Sequence, residues 1–223
     1  MIPAGSTAVM ASRREPPDSL DFFPTPPWAT RALLRHVLPP VLEGFKICSA
    51  WDPACGEGHM AEVLREEVSI VHASDIFDYG RGYPVADFLD PATQLVPSVD
   101  LIATNPPFNV AVEFAERALG EAAVVALLLR TAWIEGEERY LRLFRDRPPT
   151  AFAPFVERVA MLRGRWEPNA STATSYAWFV WVSDAAPRAP IWIPPNCKRS
   201  LTRSDDARRF GFRAAAPLLT SVE

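Results

Sequence analysis

The stretch that most limits the fold is a glycine turn between a strand and a helix. Ile47-Cys48-Ser49-Ala50-Trp51 reads as a strand, Asp52-Pro53-Ala54-Cys55-Gly56-Glu57-Gly58 leaves it, and a helix is expected over 59–67. Gly56 and Gly58 lack Cβ, so the backbone there can take positive φ and approach a ligand closely. Strand, glycine turn and helix together form the nucleotide-binding device of doubly wound α/β folds, with the ligand beyond the carboxyl end of the strand. Gly-x-Gly alone is also an ordinary turn, whereas the full seven-residue string is far narrower. A second apolar run, Val99-Asp100-Leu101-Ile102-Ala103-Thr104, reads as a buried strand and ends in Asn105-Pro106-Pro107-Phe108. Asn105 offers a side-chain carbonyl, and Pro106 a backbone carbonyl on a residue without an N–H. The two prolines hold these acceptors stiffly, and Phe108 adds a flat apolar face. Two acceptors and a face suit a planar amino group such as the exocyclic NH2 of a base; a Pro-rich turn with Asn as helix cap is the alternative.

The other elements fall around these two. Residues 1–20 read as a loose N-terminal tail. Phe22-Phe23-Pro24-Thr25-Pro26-Pro27 leads into a helix whose Trp28, Ala32, Leu33 and Val37 share one face. A strand over 70–74 ends at Asp75, close to the ~20-residue offset at which an acid accepts from ribose hydroxyls. A helix over 110–119, a buried strand over 122–129 and an amphipathic helix over 135–146, with Tyr140, Leu141 and Phe144 inward, come next. The last pair of strands is placed at 155–162 and 176–182. The domain is therefore expected over 21–185, with a basic extension over 186–223.

Composition narrows the class. At 223 residues, 48% hydrophobic and 22% charged, the chain suits one globular domain. No apolar run approaches the ~20 residues of a membrane span, and no secretory signal is evident. Three cysteines without a C-x-x-C pair point to a reducing, cytoplasmic setting, and three scattered histidines argue against a metal site. The net charge of −4 opposes a nucleic-acid partner mildly. Its distribution favours one: Arg139, Arg142, Arg145, Arg147, Arg158, Arg163 and Arg165 cluster, and Lys198, Arg199, Arg203, Arg208, Arg209 and Arg213 follow, offering a phosphate-facing surface.

Taken in order, Phe23-Pro24-Thr25-Pro26, Asp52-Pro53-Ala54-Cys55-Gly56-Glu57-Gly58 and Asn105-Pro106-Pro107-Phe108 resemble the motifs of the S-adenosylmethionine-dependent N6-adenine DNA methyltransferases. The short layout is similar to the small phage- or mobile-element type. That resemblance implies a class I methyltransferase fold: α/β, doubly wound, a mostly parallel sheet closed by an antiparallel strand. It implies S-adenosyl-L-methionine as cofactor, with Phe23, Thr25 and Pro26 at its methionine part and Asp52, Pro53, Ala54, Cys55, Gly56 and Gly58 as its loop. Asp75 would take the ribose and Asp87 the adenine amino group, with Ile76 or Phe88 against the ring. Asn105, Pro106, Pro107 and Phe108 would hold the target base, with Asn105 also beside the cofactor. Tyr176 or Trp178 would face the flipped base, and Arg163 and Arg165 would meet DNA phosphates. The family's usual long target-recognition region has no counterpart between Asp87 and Asn105 or after Val182. Methylation of RNA adenine or of a protein glutamine amide uses a similar site, and an inactive nucleic-acid-binding subunit is a further alternative. A homodimer is left open.

Overall fold

The computed structural model describes residues 21–93 and 95–211; the expected N-terminal tail over 1–20 and Arg213 lie outside the described residues. Helix α1, Pro27–Ala32, starts on Pro27, whose missing N–H and fixed φ suit a first helical position. It widens into a π-helical turn, Leu33–Val37, and continues as α2, Leu38–Leu42. Strand β1 (Ser49–Asp52) is followed by α3 (His59–Leu64) and β2 (Ile70–Ala73). Strand β3 (Val99–Thr104) leads through a 3-10 turn to α4 (Ala111–Glu121), which passes without a loop into β4 (Ala122–Arg130). A short α5 (Glu137–Arg139), β5 (Ala151–Pro154), β6 (Tyr176–Val182), α6 (Cys197–Leu201) and α7 (Asp206–Phe210) complete the chain.

The six strands form one sheet in the order β2-β1-β3-β4-β6-β5. The first four are parallel, while β6 runs antiparallel to both β4 and β5. The expected mostly parallel sheet with a reversed strand near its end is therefore present. Alternate residues of β4 and β6 supply two cores. Val124, Ala126, Leu128, Tyr176, Trp178 and Val180 pack with Trp28 and Leu33 on one face. Val125, Leu127, Leu129, Ala177, Phe179 and Trp181 pack with Phe114 and Leu143 on the other. Burial on both faces is why these strands read as continuous apolar runs rather than alternating ones.

Two expectations about the elements change. The strand expected over 155–162 lies earlier, at Ala151–Pro154, on the sheet edge where Pro154 owes no ladder N–H. Residues 155–162 instead run irregularly, with Val159 and Met161 dropping into the first core. Ile191 and Ile193 donate to Phe152 O and Pro154 O at 3.0 Å, so the following chain covers that edge. The amphipathic helix over 135–146 is broken by a π-helical turn at Tyr140–Phe144. The extra residue per turn rotates its face: Leu143 is fully buried, while Tyr140 and Leu141 are exposed instead of inward.

Among the described residues no helix is long and apolar enough to cross a membrane, and no group of three or more His, Cys, Asp or Glu is placed to hold a metal ion. The three cysteines are unpaired.

Candidate active site

The carboxyl ends of β1, β2 and β3 open into a cavity of about 420 Å3, walled on its outer side by residues 21–25. Of the residues singled out in the sequence, Phe23, Thr25, Asp52, Pro53, Ala54, Cys55, Asp75, Ile76, Asp87, Phe88, Asn105 and Pro107 line it. Pro26 does not; it faces a neighbouring groove. Gly56, Gly58, Pro106 and Phe108 stand behind the lining.

The glycine turn is held from both sides. Gly56 has φ +54° and Gly58 φ +87°, and a Cβ at either would strike the Phe22 ring at 2.4 Å or the Tyr83 hydroxyl at 2.0 Å. The positive φ at both positions favours glycine. Asp75 fixes the turn: Oδ2 accepts from Gly56 N–H at 2.8 Å, and Oδ1 from Phe77 N–H at 3.1 Å. The strand-end acid thus caps a turn while lining the cavity. Asp87 behaves likewise, accepting from Leu89 N–H at 2.8 Å. Asp52, buried at the end of β1, accepts from the Thr104 hydroxyl at 2.8 Å. Burial pushes its carboxyl up to about 7, and the charge of Asp75 adds to the rise. Phe88 is buried edge-on to Trp51 with ring centroids 5.1 Å apart, whereas Ile76 is exposed at the cavity rim.

Asn105 ends β3 at the far wall. Its Nδ2 donates to Phe23 O at 2.9 Å and lies 3.6 Å from Met161 Sδ, which fixes the amide; its Oδ1 is buried with no hydrogen-bond partner among the described residues. A buried orphan acceptor costs about 1–3 kcal/mol, so it persists where something else supplies the donor. Beyond it the Phe108 ring meets Phe23 (6.2 Å) and Tyr176 (6.4 Å), with the Arg130 guanidinium 4.7 Å over its face. Register explains this meeting. Because β6 is antiparallel, Tyr176 at its start pairs with Arg130 at the end of β4, on the same edge as Asn105. Trp178 is not part of it: fully buried, with its indole N–H on Ala29 O at 3.2 Å, it belongs to the core. Two residues further along the strand, it points to the same sheet face as Tyr176 but lies deeper under α1.

No protein-family model and no curated protein sequence gives a match to this chain. Solved structures do, at low identity. The chain is similar to the modification subunit of a candidate type I restriction enzyme from Vibrio vulnificus (17% identity, TM-score 0.52, 84% of this chain and 51% of that one). It is similar to a type I restriction-modification methyltransferase subunit from Streptococcus thermophilus (12%, 0.50, 74% and 45%). It is also similar to a candidate RNA methyltransferase from Pyrococcus horikoshii (16%, 0.51, 76% and 91%). This is the class I methyltransferase fold. The chain spans about half the length of the two restriction-modification subunits.

In methyltransferase folds of this topology the ligand is expected beyond the parallel strand ends, and that is where this cavity lies. Sequence reasoning missed Phe22, His59, Tyr79 and Asn109 in its lining, and Arg130 beside Phe108. Arg130 left one signal, a charge directly after a fully apolar strand. His59 left none: its Nε2 meets Phe210 O at 3.0 Å, and burial lowers its pKa. The arginine cluster divides. Arg142 pairs with Glu113, Glu116 and Glu138, Arg145 with Asp146, and Arg139 donates to Glu135 O, so carboxylates offset two charges of this part. Arg163 and Arg165 stay beside the cavity, because Gly164 N–H bonds Phe22 O at 2.9 Å; Arg165 also pairs with Glu167.

Proposed function

We propose that this protein transfers a methyl group from S-adenosylmethionine to the N6 amino group of adenine in DNA. The observation that carries the reading is the buried, unpartnered Oδ1 of Asn105, set between a cofactor-sized cavity and an aromatic face. The cavity suits that cofactor: Asp52, Asp75 and Asp87 line the interior, and the orphan acceptor marks the far side. When bound, S-adenosylmethionine would supply a methyl group already activated on a sulfonium. The chain supplies position and polarity. Asn105 Oδ1 accepts one N6 hydrogen and the Pro106 carbonyl the other. Both bonds favour a tetrahedral nitrogen whose lone pair is free of the ring. Phe108 stacks the base, which a duplex can deliver only by flipping it out. Thr25 would hold the methionine carboxylate and Asp52 the ammonium.

A pH dependence follows from Asp52. A ligand cation favours the charged carboxylate and lowers its pKa from about 7, so binding releases a proton below that pH. Cofactor affinity therefore falls as pH drops through about 7, by up to ~10-fold per unit, and again above ~8 as the ligand's own α-amino group loses its charge. Calorimetry across this range, repeated on Asp52→Asn, checks it; the variant loses the acid limb. An affinity flat between pH 5.5 and 7 would remove Asp52 from the ammonium.

RNA adenine is the second reading, favoured by one observation: the chain spans 91% of the Pyrococcus horikoshii structure and about half of the restriction-modification subunits. Labelled cofactor incubated with duplex DNA and with RNA of the same sequence, followed by nucleoside mass spectrometry, separates the two. N6-methyl-2′-deoxyadenosine is the expected product. Label in RNA alone establishes the second reading, and label in neither overturns both.

A further inference from the structure

Beside the cofactor cavity runs a second groove, of about 480 Å3, that the chemistry above does not use. One wall is the segment 157–169; the other is α6 and the residues that follow it, with Pro26 and Trp28 between. Among the described residues four cations line it, of which Arg203 pairs with Glu66. Arg142, Arg145, Arg165 and Arg188 each bond a nearby carboxylate. Arg158, Lys198 and Arg199 line the groove and make no ion pair among the described residues. Two acids also line the groove, fewer than the cations: Glu157 accepts from the Lys198 backbone N–H at 3.1 Å, and Glu167 pairs with Arg165. The groove is thus locally basic on a chain whose net charge is −4.

It is also continuous with the reacting centre. The segment that forms its wall carries Met161, 3.6 Å from Asn105 Nδ2, and Gly164, bonded to Phe22 O. Thr25 lines the cavity and Pro26 the groove, so a polymer lying across the groove passes one residue from the cofactor site.

We propose that this groove holds the phosphodiester backbone of the DNA flanking the target base. It would provide, from the C-terminal extension, the grip that a separate recognition region provides in longer proteins. The proposal rests on the DNA reading above, and its test does not need methyl transfer. Duplex DNA binding is measured over a salt series for the wild type and for Arg158→Gln/Lys198→Gln/Arg199→Gln. Three lost phosphate contacts should lower the slope of log affinity against log salt by ~2–3 units. Calorimetric cofactor affinity should be unchanged, which shows the variant is folded. Arg117→Gln/Arg142→Gln/Arg188→Gln removes the same charge where carboxylates already offset it, and should shift the slope by less than ~1. Glu167→Gln should tighten DNA binding, an effect that misfolding cannot imitate.

Equal slopes for the wild type and the groove variant would overturn the proposal, as would equal effects of the two triple variants. Wild type that prefers RNA of the same sequence, or that binds no DNA, overturns it too. Wild type that binds DNA through the groove yet transfers no methyl upholds the groove and removes the methylation reading. Methylation of DNA adenine with an unaltered slope does the reverse.

Discussion

Asn105→Ala should lower methyl transfer by at least ~10²-fold, the loss seen when one donor or acceptor of a charge-stabilising set is removed. The nitrogen of adenine N6 is a poor nucleophile because its lone pair is shared with the ring. In the proposed reaction Asn105 Oδ1 would pull on one N6 hydrogen, and it is already buried without a partner among the described residues. No reorganisation is required of it, since its Nδ2 is tied to Phe23 O. The same geometry predicts where the loss does not appear. Removing a buried orphan oxygen relieves a cost of about 1–3 kcal/mol in the empty protein, offsetting the hydrogen bond lost from Nδ2. Thermal stability should therefore change little, and cofactor affinity should hold within a few-fold. Asn105→Asp keeps an acceptor but gives up the donor to Phe23 O, so it should fall between the two. A tritiated-methyl assay with calorimetry in parallel decides the matter. Near-normal turnover in Asn105→Ala would end the proposed role.

What the sequence showed of this site was local, and what it concealed was long-range. The two motif loops each follow their own strand, so residues 52–58 and 105–108 were readable in place; both loops fall where parallel strands end. The ring of acids was readable for the same reason, although only the folded structure has Asp75 spending both oxygens on backbone N–H groups. Tyr176 reached the site because the last strand runs backwards, a reversal visible in the aromatic pattern only with the resemblance in hand. Trp178, two residues on, gave an identical signal and lies in the core, since an aromatic in a strand carries no mark of how deep its strand position lies. The edge strand was misplaced because Pro154 reads as a breaker, and on an edge it is not one. Charge runs were the poorest guide. Arg139 to Arg147 look basic in a line, yet Arg142 is offset by Glu113 and Glu116 of α4 and Arg145 by the adjacent Asp146.

The least legible feature is the one with the largest expected effect on stability. Arg31 in α1 is buried, and its guanidinium makes two bonds to Asp206 (2.7 and 2.7 Å), two to Glu66 (2.8 and 2.9 Å) and one to Leu201 O (2.7 Å). Four elements, α1, the turn after α3, α6 and α7, are joined at one side chain. Burial alone would lower the Arg31 pKa, but the two carboxylates outweigh it and raise it. Such a cluster is weak evidence of net stabilisation, because desolvation offsets most of the attraction. Breaking it is a different matter. Arg31→Ala leaves Asp206, which is 1% exposed, facing a void with only the Arg203 backbone N–H as partner. Glu66 keeps Arg203 and Arg209, so the unpaired charge is chiefly Asp206. Removing one partner of a buried pair typically costs about 3–5 kcal/mol, which for a domain of this size lowers Tm by roughly 6–20 °C. Arg31→Leu/Asp206→Leu removes both charges and should recover most of that loss. Denaturant unfolding of the two variants makes the comparison. A single variant losing under ~1 kcal/mol, or a double variant no better than the single, would show that α7 is held by packing of Phe210 against Trp166 and Val63 instead. If the cluster holds as described, Arg31→Ala also loosens α6, and with it the wall that carries Lys198 and Arg199. DNA affinity should then fall before cofactor affinity does.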